Sequence, residues 1–258
     1  MSKSPIFFAM VLVGFVAQLV DGTLGMGYGV FSTSLLIGMG FYPAIASASV
    51  HTARIFTVLL SGASHFRLGN VERNLALHLT IPGIIGGIVG AYLLCAVPGK
   101  TAQPLISIAL LGMGVLVLYR FITGKVPSAS GDNRVPLPKL LGLGFVAALM
   151  DAVGGGGWGP IATPGLILTG DHEPRKVVGS VNLVKFFVTM AEVLTFIFIL
   201  GLKRLRWDMV CALWIGGAVA APIAAFACRR LPDKALGILI GIALIGLNAS
   251  TLVLSFLR

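Results

Sequence analysis

The chain is written in long apolar stretches separated by short polar gaps. Six of these stretches, about 43–66, 75–97, 101–121, 174–201, 208–229 and 235–257, each supply the roughly 20 apolar residues one helix needs to cross a bilayer. Two more, about 5–40 and 137–170, are too long for one straight helix, and each is interrupted by glycines. Each of the two reads as a single crossing built from a broken helix, with the extra length folded inside the protein. The pattern therefore predicts an all-α polytopic membrane protein of about eight transmembrane helices in two homologous four-helix repeats, with a broken Gly-rich helix opening each repeat. The first run passes into Asp21-Gly22 and further apolar sequence with no small-residue cleavage site, so it reads as a mature membrane segment and not a signal peptide.

Composition agrees with this picture. Of 258 residues, 57% are hydrophobic and 11% charged, against about 25% charged in a soluble domain. There is too little charge to cover a globular surface, so lipid must replace water over most of the exterior. The net charge of +10 then speaks of topology before nucleic acid, because cytoplasmic loops collect Lys and Arg. With the N-terminus inside and eight crossings, the inside loops hold Lys3, Arg67, Arg73, Arg120, Lys125, Arg134, Lys139, Lys203, Arg204, Arg206 and Arg258. The outside loops hold Lys100, Arg175, Lys176, Arg229, Arg230 and Lys234. That bias puts both termini in the cytoplasm. A rival count makes each long segment a re-entrant hairpin or two short helices, giving an odd number per half and inverted repeats. It moves the basic loop 120–139 outside, which the charge rule disfavours. Cys95, Cys211 and Cys228 show no CxxC or CxxH spacing and read as small packing residues.

The two halves align residue by residue. Asp21-Gly22-Thr23-Leu24-Gly25-Met26-Gly27-Tyr28-Gly29 matches Asp151-Ala152-Val153-Gly154-Gly155-Gly156-Gly157-Trp158-Gly159. Beyond that, Pro43 meets Pro174, Ser49 meets Ser180, His51 meets Asn182, and Arg54 meets Lys185. Generic apolar similarity would not align an aspartate, a glycine cluster, an aromatic and a cation in one order. Residues 1–123 thus form a first transmembrane repeat, 124–136 a cytoplasmic linker, and 137–258 a second repeat. Transporters built of such repeats bind substrate between them, near the bilayer midplane.

Candidate chemistry falls on the duplicated positions. Consecutive glycines break a helix, and unpaired backbone survives at membrane depth only inside protein or along a cavity. The amides that follow such a break suit an anion. Gly25, Gly27 and Gly29, with Gly155, Gly156 and Gly157, are therefore candidate oxyanion cradles, and close helix packing is the alternative. Tyr28 and Trp158 stand beside them as cavity walls or space fillers. Arg54 and Lys185 lie well inside their helices, where charge is costly and usually functional. They are candidate anion ligands, with Ser49, His51, Ser180 and Asn182 as neutral hydrogen-bonding neighbours. Asp21 and Asp151 read either as caps and partners of the two cations or as proton carriers. Glu192 lies seven residues after Lys185 with Ser61 as its nearest counterpart, and reads as a proton site or a partner of Lys185. His65, His78 and His172 read as interfacial, and no histidine spacing suggests a metal.

The duplicated Asp-Gly/Ala…Gly-x-Gly-Tyr/Trp-Gly segments and the Ser-x-His/Asn-x-x-Arg/Lys stretch that follows each resemble the sulfite exporter TauE/SafE family, also called the sulfonate uptake permease family. The resemblance covers nearly the whole chain. It implies a bacterial inner-membrane protein of about eight crossings that moves sulfite, sulfoacetate or related organosulfur anions, with no cofactor and no ATPase subunit. The expected function is secondary transport of a small sulfur-containing anion by alternating access, with proton coupling resting on Asp21, Asp151, Glu192 and His51. A small-anion channel is the alternative, and a membrane enzyme or assembly component a more distant one. The expected partners are a small anionic substrate and the lipid bilayer, with no nucleic acid and with a homodimer left open. The second half carries Asn182 and Lys185 where the first has His51 and Arg54, so the two sites differ chemically.

Overall fold

A computed structural model describes residues 3–29, 32–33, 36, 43–96, 102–124, 136–154, 157–169 and 172–256. The described residues form nine α-helices. They are α1 (Lys3–Leu24), α2 (Pro43–Arg67), α3 (Arg73–Ala96), α4 (Ala102–Thr123), α5 (Leu137–Gly154), α6 (Trp158–Thr169), α7 (Pro174–Leu200), α8 (Trp207–Arg230) and α9 (Asp233–Phe256), with a short 3₁₀ turn at Leu202–Arg204. Helical backbone also resumes at Tyr28, after the break that follows α1. Five helical segments, Ile6–Leu24, Ala44–Arg67, Arg73–Ala96, Pro174–Leu200 and Trp207–Arg230, are long and apolar enough to cross a membrane. Beyond the first turn, the amides of such a helix bond within their own segment, which is what a hydrocarbon environment demands. The outward faces are apolar: Phe198 is 91% exposed, and Leu77, Ile81 and Phe8 are also well exposed.

The polar residues are sorted inward. Along α2, His51, Arg54, Ser61 and His65 recur at intervals of three, seven and four residues, and along α7 so do Asn182, Lys185, Thr189 and Glu192 at three, four and three. These intervals hold one face of a helix, and every one of these residues is buried. The two faces meet. Ser61 contacts Asn182, Arg54 contacts Thr189, and His51 contacts Glu192. Residue numbers rise on one helix as they fall on the other, so α2 and α7 run antiparallel through the centre of the protein.

The remaining directions follow from close backbone approaches. Gly14 of α1 lies against Leu213 of α8, and Gly22 against Ala224, so these helices run parallel. Gly86 and Gly90 of α3 lie against Phe145 and Leu149 of α5, also parallel. Gly237 and Gly241 of α9 lie against Phe121 and Leu118 of α4, an antiparallel pair. In addition α2 packs on α8 and α3 on α7.

Two joints fix which loops share an end. At one end, Ser49 near the start of α2 accepts a hydrogen bond from the Arg206 amide, just before α8. At the other, the Glu72 amide, just before α3, donates to Ser180 near the start of α7, and Lys176 Nζ donates to the Gly69 carbonyl. His172 lies 2.7 Å from Glu72 there. The connection 68–72 and the start of α7 therefore lie at the same end.

This corrects the expected path of the chain. Neither 5–40 nor 137–170 is one broken crossing: α1 and α2 both run parallel to α8, which one crossing over 5–40 does not allow. Gly157 lies against Met150 and Gly165 against Leu143, so α5 and α6 form an antiparallel hairpin. An 18-residue helix and a 12-residue helix, rising about 1.5 Å per residue, go in and come back. The return brings α7 in at the end that holds Arg67 and Arg73, so Arg175 and Lys176 stand with those residues and not opposite them. The rival count described above fits this geometry, and the sorting of loop charges under eight crossings does not.

Candidate functional site

At the centre, each buried cation meets an aspartate from the other half of the chain. Lys185 Nζ on α7 donates to both carboxylate oxygens of Asp21 on α1, at 2.9 and 2.8 Å, and to the Gly25 carbonyl at 3.3 Å. Arg54 on α2 is bound by Asp151 at the end of α5. All four side chains are buried. The sequence places Asp21 with Arg54 in the first half and Asp151 with Lys185 in the second, yet the ion pairs cross between the halves. Burying such charges is tolerable only because each has its counter-ion in contact.

The two cations are not equally committed. An ammonium has three protons, and Lys185 has three oxygen acceptors. Arg54 Nη2 also reaches Thr189 Oγ1 at 3.1 Å and His51 Nδ1 at 3.1 Å, while its Nε has no partner. Arg54 thus retains a donor for a guest, and Lys185 does not.

His51 and Glu192 complete the Arg54 cluster. His51 Nδ1 lies 2.9 Å from Glu192 Oε2, and Arg54 Nη2 lies 3.8 Å from the same oxygen. The approach falls outside hydrogen-bonding angles, leaving both Glu192 oxygens and His51 Nε2 without a hydrogen bond. The donor atoms of His51, Asp151 and Glu192 lie within 4.8 Å of one another, a separation that suits a metal ion. The Arg54 guanidinium already bonds two of the three, so a cation occupies this cluster as built.

The equivalent cluster at Lys185 is neutral apart from its ion pair. Asn182 stands where His51 does and Ser61 where Glu192 does, and Ser61 Oγ donates to Asn182 Oδ1 at 3.4 Å. Gln18 is also buried with both amide atoms unpartnered.

The glycine break following α1 is real, and an internal group already uses it. Gly25 has φ +79° and Gly27 φ +125°, backbone that favours glycine. The Tyr28 amide at the start of the resumed helix points at Asp21 Oδ1, 3.4 Å away. That amide and Lys185 together hold a carboxylate where a guest oxyanion was expected. Gly29 is buried beside Tyr28. Gly159 crosses the first break so closely that an added Cβ would sit 2.0 Å from the Gly25 carbonyl oxygen, so the start of α6 seats on that break. Gly157 lies against Met150. Gly155 and Gly156 lie outside the described residues.

Several expected ligands are occupied elsewhere. Ser49 and Ser180 bond the backbone before α8 and α3, at the ends of the bundle. Tyr28 Oη donates to the Leu213 carbonyl at 3.2 Å, and Trp158 Nε1 to the Val181 carbonyl at 3.1 Å. Asn182 donates to the Val178 carbonyl. His65 is not interfacial. It is buried, with Nε2 2.8 Å from the Gly22 carbonyl and Nδ1 beside Asn70. Thr189, Gln18 and Asn70 are contributors that the repeat alignment passes over. Thr189 follows Lys185 by four residues on the same face, and that spacing is the signal for it.

The fold and its buried charges define a multi-pass membrane protein with a polar centre. Residues 10–251 match the family described as Sulfite exporter TauE/SafE, and the chain belongs to that family. It is 43% identical over 253 residues to "Probable membrane transporter protein YtnM" of Bacillus subtilis (strain 168), covering 97% of this chain and 83% of that protein. It is 26% identical over 177 residues to "Probable membrane transporter protein YdhB" of the same organism, covering 68% of this chain and 72% of that one. No solved structure matches. The chain is a membrane transporter and not an enzyme.

Proposed function

We propose that the chain is a secondary transporter, working as an exporter, of a small sulfur-containing anion such as sulfite or an organosulfonate. It works by alternating access at a site between two repeats of inverted orientation, residues 1–123 and 137–258. One observation carries the reading: two fully buried cations on antiparallel helices, each neutralised by an aspartate of the other half. An ion pair between halves holds the bundle closed, and an anion that competes with Asp151 for Arg54 loosens one such tie. The partially free guanidinium makes Arg54 the principal ligand, since its planar fork suits an oxyanion. Lys185 and the Gly25–Gly29 break form the second wall.

The helix directions also bear on sidedness in the inner membrane. The end that holds Arg67, Arg73, Arg175 and Lys176 adjoins, along the sequence, Arg120, Lys125, Arg134, Lys139, Arg229, Arg230 and Lys234. The end that holds Lys3 adjoins Lys100, Lys203, Arg204, Arg206 and Arg258. Positive charge gathers at the first, which on the positive-inside rule faces the cytoplasm and leaves both termini on the opposite face.

The test is flux of labelled sulfite and methanesulfonate into proteoliposomes. Wild-type protein gives saturable, exchange-type uptake. Arg54→Ala, purified as a folded monodisperse protein, gives none. Full flux in that variant overturns the reading, and unitary conductance in place of saturable exchange turns it into a channel.

A further inference from the structure

The Arg54 cluster differs from its counterpart at Lys185 in one respect that electrostatics makes consequential. Around Lys185 the balance is closed: one ammonium, one carboxylate, and the neutral Asn182 and Ser61. Around Arg54 there is one guanidinium and two carboxylates, Asp151 and Glu192, with a histidine between. If Glu192 is ionised and His51 neutral, the cluster carries one unbalanced negative charge with no exposure to water. An isolated charge in such a place is strongly unfavourable, and it opposes the entry of any anion. One added proton, on His51 or on Glu192, removes it.

The geometry provides for that proton. His51 Nδ1 lies 2.9 Å from Glu192 Oε2 and 3.1 Å from Arg54 Nη2, so a small change of angle lets the histidine and the carboxyl share one proton. His51 Nε2 and Glu192 Oε1 are buried and without partners, which leaves an atom for a second proton to occupy. The groups facing the pair from neighbouring helices are Arg54 on α2 and Asp151 on α5, with the Lys185–Asp21 pair beyond. On the α3 side, a Cβ added at Gly87 would lie 3.3 Å from Glu192 Oε1. The Phe196 ring, 6.0 Å from His51 between centroids, closes the pair on its own helix.

We propose that the buried His51–Glu192 pair is the proton carrier of this transporter, and that an anion binds at Arg54 only with a proton on that pair. Anion binding is then linked to the occupancy of the pair by one proton. The proposal rests on the transporter reading above and adds the coupling ion and its residues. Around Lys185 the neutral Asn182 and Ser61 stand in its place, so that cluster offers no second such pair among the described residues.

Two measurements test it, one of which needs no substrate. Infrared difference spectra of purified protein recorded across a series of pH values show a buried carboxylic-acid band that disappears in Glu192→Gln. A spectrum identical in wild type and Glu192→Gln overturns the proposal. Methanesulfonate, which does not itself titrate in this range, is then bound to wild-type protein in buffers of different ionisation heat. Binding takes up one proton and weakens about tenfold per pH unit above the titration of the pair, as linkage to a single proton requires. Glu192→Gln and His51→Asn bind with that slope abolished. A slope unchanged in both folded variants also overturns the proposal. Failure of wild type to bind methanesulfonate, sulfite or thiosulfate sinks the substrate reading, while the infrared result still decides the pair.

Discussion

Lys185 holds both carboxylate oxygens of Asp21, 164 positions away in sequence, at 2.8 and 2.9 Å from its Nζ. The clamp is buried and joins α1 to α7. Removing one partner strands the other charge without solvent, at a cost of about 3–5 kcal/mol. Asp21→Ala and Lys185→Ala should each lower the thermal midpoint in a fixed detergent by a large margin. The double change Asp21→Leu with Lys185→Met should recover most of that loss, since an apolar pair of similar volume leaves no stranded charge. A single variant as stable as wild type would show that the contact does not hold the fold.

Arg54→Lys keeps the charge and discards the fork. Asp151, Thr189 and His51 are now all served by one guanidinium, and an ammonium cannot reach all three and a guest together. Transport should fall at least tenfold, while the thermal midpoint drops less than in Arg54→Ala. Wild-type transport in Arg54→Lys would reduce the residue to a point charge.

Gly159→Ala tests the seating of the start of α6 on the break that follows α1. Its Cβ would sit 2.0 Å from the Gly25 carbonyl oxygen, a backbone atom with nowhere to go. Overpacking of this kind costs about 1–3 kcal/mol, and the displaced backbone belongs to the carbonyl that Lys185 bonds. Both stability and transport should suffer. Gly112→Ala is the control: no atom lies within 4 Å of its added Cβ, and the change should be neutral or slightly stabilising.

Helix directions can be read by labelling single cysteines introduced into a background lacking Cys95, Cys211 and Cys228. Arg73→Cys and Lys176→Cys should react with an impermeant maleimide from one face of the membrane, and Arg204→Cys from the other. Reaction of Arg73→Cys and Lys176→Cys from opposite faces would contradict the shared end seen through the Glu72–Ser180 and Lys176–Gly69 bonds.

The helical class, four of the five long apolar spans and the buried cations were legible in the sequence because hydrophobic run length and charge rarity are local properties, while Ile6–Leu24 is merged there into a broken crossing over 5–40. The path of the chain was less so. The stretch around Gly155 reads equally well as a kink or a reversal, and only the seating of Gly165 on Leu143 distinguishes them. The crossing of the ion pairs was hidden for another reason. Alignment of the halves matches Asp21 to Asp151 and Arg54 to Lys185, but it carries no information about which copy each faces. His65 misled because it lies near a helix end in sequence, where histidines are commonly solvated, yet Gly22 and Asn70 enclose it.

The antiparallel seating of α2 on α7 brings two unlike polar patches together inside one seam: a histidine facing a glutamate toward one end, and a serine facing an asparagine toward the other. A passing ion therefore meets chemically different surroundings depending on the end from which it enters.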